Sequence, residues 1–384
     1  MMSANEPKKL SIRQLLMIMV KQDASDVYIT SGMAPAYRIN NVVKPLKQPP
    51  LNGVQTEQLA NACMSEKQRA EFATEMEMNL ALAYEGMGRF RVNILRQRGD
   101  VAMVIRKITT EVPTLDELGL PEIFKDIMMN KRGLVIMVGA TSSGKSTSLA
   151  AMIDHRNRTQ AGHIITIEDP VEFVHQHRRS VVTQREVGTD TKSFKAALKN
   201  TLRQAPDVIL VGEIRDRETM EHALEFAETG HLCMATLHAN NSNQALERIL
   251  NFFPEEVHPQ IRLNLSMNMK AILSQRLVKT PSGGRKAAIE ILMNTPRIAD
   301  LIEKWDIGEI KEAMAAGKNY GMQTFDQCLL QLWKDGFVSE DEALVQADAV
   351  NDLRLRMKMS RLESDDDSEN SIDSLSSSSS ELKI

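Results

Sequence analysis

The sequence predicts an α/β protein: a mostly parallel sheet covered by helices, with a smaller α+β domain before it and a helical region after it. Three observations carry this expectation. Short apolar runs of strand length recur from about Lys131, at 134–138, 163–168, 208–211, 232–237 and 287–292. Helical stretches lie between most of them, and continuous apolar strands alternating with helices indicate a sheet buried on both faces. The chain has 384 residues, 42% apolar and 26% charged, enough for two or three globular domains.

Taken in order, residues 10–22 have helical spacing, and "SDVYITSG" (Ser25 to Gly32) alternates like a strand. "AYRINNVVKPL" suggests a hairpin with Asn40-Asn41 in its turn, and residues 56–75 look helical. "GRFRVNILRQRGDVAMVIRKI" (Gly88 to Ile108) suggests two strands joined around Arg98-Gly99-Asp100. Prolines at 113 and 121 mark a linker. The chain is therefore expected to divide into an α+β domain over 1–110, a linker over 111–130, a core over 131–294, a helical region over 295–362 and a tail over 363–384. That tail is acidic and serine-rich and is expected to be disordered.

Charge and cysteine usage exclude several classes. The formal net charge is −4, but the tail holds seven acids against Lys383, so the rest of the chain carries +2. A near-neutral body with 4% aromatic residues argues against a strand-tracking nucleic-acid groove. Cys63, Cys233 and Cys328 form no CxxC pair, which fits a reducing cytosol and speaks against a four-cysteine zinc site. The N-terminus is polar with no signal-peptide pattern, and "LLMIMV" (Leu15 to Val20) is too short to span a bilayer. Membrane association is expected only through partners.

"GLVIMVGATSSGKSTSLAAM" contains G-x4-G-K-S at Gly139, Gly144, Lys145 and Ser146, after an apolar strand and at the start of a helix. The glycines let backbone N–H groups of Gly139, Ala140, Thr141, Ser142, Ser143, Gly144, Lys145, Ser146 and Thr147 turn around phosphates. Lys145 is expected to reach the β/γ-phosphates, and the Ser146 hydroxyl to meet Mg²⁺. The nearest match to a guanine-reading N-K-x-D element is "NKRG" at Asn130, which lacks the Asp and precedes the loop. ATP is the expected nucleotide, and a small-molecule kinase is the rival use of such a loop.

Three further strands end in polar residues: "TIEDPVEF", "VGEIRD" and "GHLCMATLHAN". Ligands of parallel sheets bind beyond the carboxyl ends of the strands, so Glu168, Asp169, Glu213 and His238 are expected on the edge that carries the loop. Glu213 is the candidate for orienting the attacking water. Gly212 stands where a magnesium-steadying Asp is common, leaving Glu168, through a water, as the substitute beside Ser146. The plain alternatives are a solvated strand-end glutamate and a structural histidine.

In this order, "GATSSGKSTSLAAMIDHRN", "ITIEDPVEF", "PDVILVGEIRD" and "TGHLCMATLHANN" resemble the motifs of the secretion-type ATPases, and within them the type IV pilus retraction ATPases PilT and PilU. The resemblance covers about residues 10–360. It implies a RecA-like core with a PAS-like N-terminal domain, a homohexamer, and ATP held between the two domains. It implies work on an inner-membrane platform protein of PilC type, from a cytoplasmic position at the pilus base. Arg91 and Arg106 match the family's nucleotide-contacting pair, with a solvated basic strand face as the alternative. One stretch departs: "TPRIADLIEK" stands where PilT carries "TPAIRNLIRE", with Ala299 and Asp300 in place of Arg and Asn. That departure and the C-terminal segments look more like PilU, implying an accessory ATPase that works with a PilT-like one. The rival readings are a RecA-like nucleic-acid translocase and a weakly hydrolysing regulatory subunit.

Overall fold

A computed structural model of the chain describes residues 10–39, 42–108 and 111–362, which form two compact units. The tail 363–384 and the Asn40-Asn41 turn lie outside the described residues.

The first unit holds residues up to Val112 together with 167–176 and 184–197. Helix α1 (Ile12–Lys21) starts at a capping box, in which the Ser11 and Gln14 side chains satisfy each other's backbone N–H groups. It buries Ile12, Leu15, Leu16 and Met19, so the apolar cluster there is a packed helix face. Strands β1 (Asp26–Ile29), β2 (Ala36–Ile39), β3 (Val42–Pro45), β4 (Glu77–Tyr84), β5 (Gly88–Gln97) and β6 (Asp100–Ile108) form one sheet in the order β3-β2-β1-β6-β5-β4. The helical stretch expected over 56–75 is two helices, α2 (Gly53–Cys63) and α3 (Glu66–Glu75). The break comes at Ser65, which opens a capping box of its own with Gln68.

The second unit begins at Pro113. The stretch read as a linker packs into its core, where Leu115, Leu120, Phe124, Ile127 and Met128 are buried, the last three on α4 (Ile123–Met128). A seven-stranded sheet contains β7 (Gly133–Val138), β8 (Gly162–Glu168), β9 (Ser180–Glu186), β10 (Val208–Val211), β11 (Leu232–Leu237), β12 (Met269–Lys279) and β13 (Arg285–Met293), all in this unit but for the last residues of β8 and β9. Their order is β13-β12-β7-β11-β10-β8-β9. Strands β10, β11, β7 and β12 run parallel, and β13 is an antiparallel edge. All six residues of β7 and of β11 are buried, as a sheet covered on both faces requires.

Helices α5 (Lys145–Thr159), α6 (Phe194–Thr201), α7 (Arg217–Glu228), α8 (Ser242–Leu250) and α9 (His258–Asn268) follow or precede these strands. Beyond β13 come α10 (Pro296–Lys304), α11 (Ile307–Ala316), α12 (Phe325–Lys334), α13 (Glu340–Gln346) and a last helix over 350–362. Strands β9 and β12 have no apolar run to announce them, yet β12 is the direct neighbour of β7, the strand that leads into the glycine-rich loop. Among the described residues, no helix is long and apolar enough to cross a membrane.

Candidate active site

The parallel register brings the exits of β7, β10 and β11 to one edge, since Leu237 pairs with Val138 and Val211 with Ala235. Gly139 opens the loop that leaves β7, with φ at 150°, and Gly144 closes it at 88°. Both lie in the left-handed half of backbone space, where a side chain is strained. Gly144 caps α5 without any side-chain hydrogen bond, so the first N–H groups of the 15-residue helix are available to an anion. Lys145, the first residue of α5, is buried and donates Nζ to Gly139 O (2.7 Å) and Ala140 O (2.9 Å). Its ammonium therefore lies against the loop's own backbone. The Ser143 hydroxyl is buried with no hydrogen-bond partner. Glycines, uncapped N–H groups and a buried ammonium together fit a polyphosphate.

A cleft of about 400 Å³ opens on this loop, lined among others by Ala140, Thr141, Ser142, Asn240, Arg276 and Gln346. Arg276 fixes its far wall. Its guanidinium donates to Gln346 O (2.6 Å), Asn240 O (3.2 Å) and Asp348 Oδ1 (2.7 Å), and sits over the Phe325 ring. Burial alone would raise the Asp348 carboxyl; Lys311 and Arg276 overcome it and hold it below its ordinary value.

Glu213 and His238 meet. His238 Nε2 lies 3.2 Å from Glu213 Oε1, and Arg215 Nη2 lies 2.7 Å from Glu213 Oε2. The turn that carries Glu213 is pinned on both sides by Thr236, whose hydroxyl donates to Gly212 O and whose carbonyl accepts from Ile214 N (2.9 Å). A buried threonine on the neighbouring strand thus aims the glutamate.

Glu168, Arg91 and Arg106 belong to the first unit. Glu168 ends β8 and accepts from Gln184 Nε2 at 3.2 Å. Arg91 and Arg106 are directly opposed across β5 and β6. Arg106 donates to Asp26 Oδ1 (2.7 Å), which raises its pKa. Arg91 donates to Val171 O (3.2 Å); burial lowers its pKa, opposed by Glu186, Glu172 and Asp169. Its Nε is buried with no partner. Among the described residues, no group of three or more His, Cys, Asp or Glu side chains is placed to hold a metal ion. In the departing stretch, Asp300 pairs with Lys304 (2.7 Å) and Arg297 (3.7 Å), so its charge is met within its own helix.

Sequence reasoning missed Gln275, Ser148, Arg215, Thr236, Arg276 and Glu290. Only Glu290 carried a signal, as an acid inside the run "AAIEIL". It is fully buried, and its Oε1 accepts from Ser242 N (2.7 Å), Ser242 Oγ (2.7 Å) and Ser274 Oγ (2.9 Å), tying the start of α8 to β12. Burial raises its carboxyl above the ordinary 4.5, against the lowering effect of those hydrogen bonds. A folded-state pKa raised above the unfolded value adds stability below about 4.5, and that stability is lost as pH rises through the folded pKa. Glu290→Gln removes the titration. The urea midpoint of the variant relative to wild type is therefore expected to rise between pH 4 and pH 7, and parallel curves would rule the linkage out.

Residues 3–324 match the family described as Type II/IV secretion system protein. The type IV pilus ATPase PilU of Pseudomonas aeruginosa is 55% identical over 351 residues, covering 91% of this chain and 92% of that protein. The pilus retraction ATPase PilT of the same organism is 42% identical over 338 residues, 88% of this chain and 98% of that protein. The crystal structure of the pilus retraction motor PilT with bound ADP aligns at a TM-score of 0.85 and 40% identity, over 90% of this chain and 99% of that one. The RecA-like fold expected from the sequence is thereby established, as is ATP hydrolysis. The chain belongs to the Type II/IV secretion system protein family, among its type IV pilus retraction ATPases.

Proposed function

We propose that this chain is an ATP-driven motor of type IV pilus retraction, PilU-like, acting as a homohexamer beside a PilT-like ATPase. One observation carries the reading: the phosphate loop and the Glu213–His238 pair share one sheet edge, in a chain 55% identical to PilU over nearly its whole length. In this reading Gly139 to Thr147 cradle the triphosphate and Lys145 meets the β/γ-phosphates. Ser146 would hold Mg²⁺, with Glu168 acting through a water, and the ion would neutralise phosphate charge. Glu213 orients and deprotonates the attacking water, while His238 responds to the γ-phosphate. Arg91 and Arg106 supply positive charge to the transition state, an effect of about 10³–10⁵ in rate for an arginine finger.

Hydrolysis then drives a PilC-like platform protein at the cytoplasmic side of the inner membrane, where the motor is held by its partners. The test joins two measurements on the full chain. Native mass with and without ATP is expected to give six copies, and Arg91→Ala is expected to abolish turnover while ATP still binds. A stable monomer under both conditions, or full turnover in the variant, contradicts the motor reading.

A further inference from the structure

We propose that Gln275 is a positioning residue of the nucleotide site, holding the Ser143–Gly144 peptide so that the Gly144 N–H faces the phosphates. The proposal rests on the ATP-site reading above. Strand β12 pairs with β7 as far as Ser274 opposite Val138, so Gln275 lies level with Gly139, where the strand gives way to the loop. Its side chain is 3% exposed in a strand buried on both faces, where an amide persists only if both its ends are satisfied. Both are. Nε2 donates to Ser143 O (2.8 Å), and Oε1 accepts from Ser148 Oγ (2.7 Å) on the first turn of α5.

Both signature glycines lie against this residue. A Cβ on residue 139 would fall 2.5 Å from the Gln275 carbonyl oxygen, and one on residue 144 would fall 2.6 Å from Gln275 Nε2. The loop is closed around this glutamine. In a planar trans peptide the C=O and the following N–H point in opposite directions. With the Ser143 carbonyl drawn to Gln275, the Gly144 N–H is turned away from it. Glycine at 144 leaves that peptide free to flip, and a flipped peptide would present a carbonyl to the triphosphate where an N–H donor is needed. The amide of Gln275 removes that freedom. The Ser143 carbonyl, which can only accept, sets which way the amide faces, and the Ser148 hydroxyl then satisfies Oε1.

The test uses the full chain with a fluorescent ATP analogue, steady-state hydrolysis, circular dichroism and the unfolding midpoint without nucleotide. Gln275→Met keeps the length and removes both hydrogen bonds. It is expected to raise Kd and KM about tenfold or more, one charge-assisted contact being of that order, while kcat falls much less. Ser148→Ala should act in the same direction more weakly, and the double variant should be no worse than Gln275→Met, as for residues acting in one chain of contacts.

A folded Gln275→Met with Kd and KM within about twofold of wild type overturns the proposal, as does a lowered unfolding midpoint with both constants unchanged. Should Gln275→Met fail to fold, Ser148→Ala decides alone, and an unaltered Kd there overturns the proposal equally. Lys145→Ala runs in parallel. If it binds the analogue like wild type, the reading of the site is what falls, and this proposal goes with it.

Discussion

Glu213→Gln lowers ATP turnover by about 10²–10⁴-fold, the range contributed by a positioned general base, while ATP affinity stays near wild type or tightens. The expectation follows from charge and shape. Glutamine keeps the side-chain length, so the contact with His238 Nε2, 3.2 Å from Oε1, can persist. It can neither accept the proton of an attacking water nor carry negative charge. A carboxylate beside a triphosphate repels it, so neutralising Glu213 costs nothing in binding. Arg215 loses a charged partner, but its side chain is 57% exposed, and exposed pairs contribute about 0–1 kcal/mol. The fold should therefore survive the substitution. Phosphate release at saturating ATP, read with the Kd, checks all of this together. A loss below about tenfold would remove Glu213 from the chemistry and leave it an anchor for Arg215 and His238.

How much of this was legible in the sequence depended on whether a residue's reason lay in its own strand. Strands β7 and β11 were readable because all their residues are buried and, Thr236 apart, none carries a polar side chain. The loop was readable because its glycines are spaced for backbone conformations that other residues resist. The opposition of Arg91 and Arg106 follows from the hairpin turn, counting back from Gln97 opposite Asp100. Strand β12 was not readable, since "MKAILSQRLVK" is interrupted by Ser274, Gln275 and Arg276. Each of these is polar for a partner far along the chain: Glu290, Ser143 and Ser148, and Asp348. No periodicity encodes such pairs. The residues that hid the strand are the ones that tie the loop, α8 and the C-terminal helices together. Arg215 was invisible for a different reason, because its contact with Glu213 is made across a turn that has no repeating spacing.

Lys145→Ala abolishes ATP binding in the working range as well as turnover, and the two effects separate it from Glu213→Gln. The Lys145 ammonium is buried at the start of α5, beside Gly139 O and Ala140 O. On the proposed reading it is the one group of the loop that would bring full positive charge to the triphosphate. Hydrogen bonds to charged groups contribute about 1.5–3 kcal/mol each, so losing two such contacts to the phosphates costs at least about 3 kcal/mol and raises Kd at least about a hundredfold. Without nucleotide the substitution has opposing effects on the fold: a buried ammonium is removed, and two carbonyls lose a donor. The unfolding midpoint of the free protein should accordingly move little.

The ATP-dependent shift is what disappears. At ATP equal to 100 times the wild-type Kd, binding stabilises the folded state by about 2.7 kcal/mol; with Kd raised a hundredfold the same ATP gives about 0.4 kcal/mol. Glu213→Gln is expected to keep the full shift without turnover, whereas Lys145→Ala loses both. A Lys145→Ala protein that still shows the wild-type shift would mean that the triphosphate is held elsewhere, since no other feature of this loop replaces a buried cation.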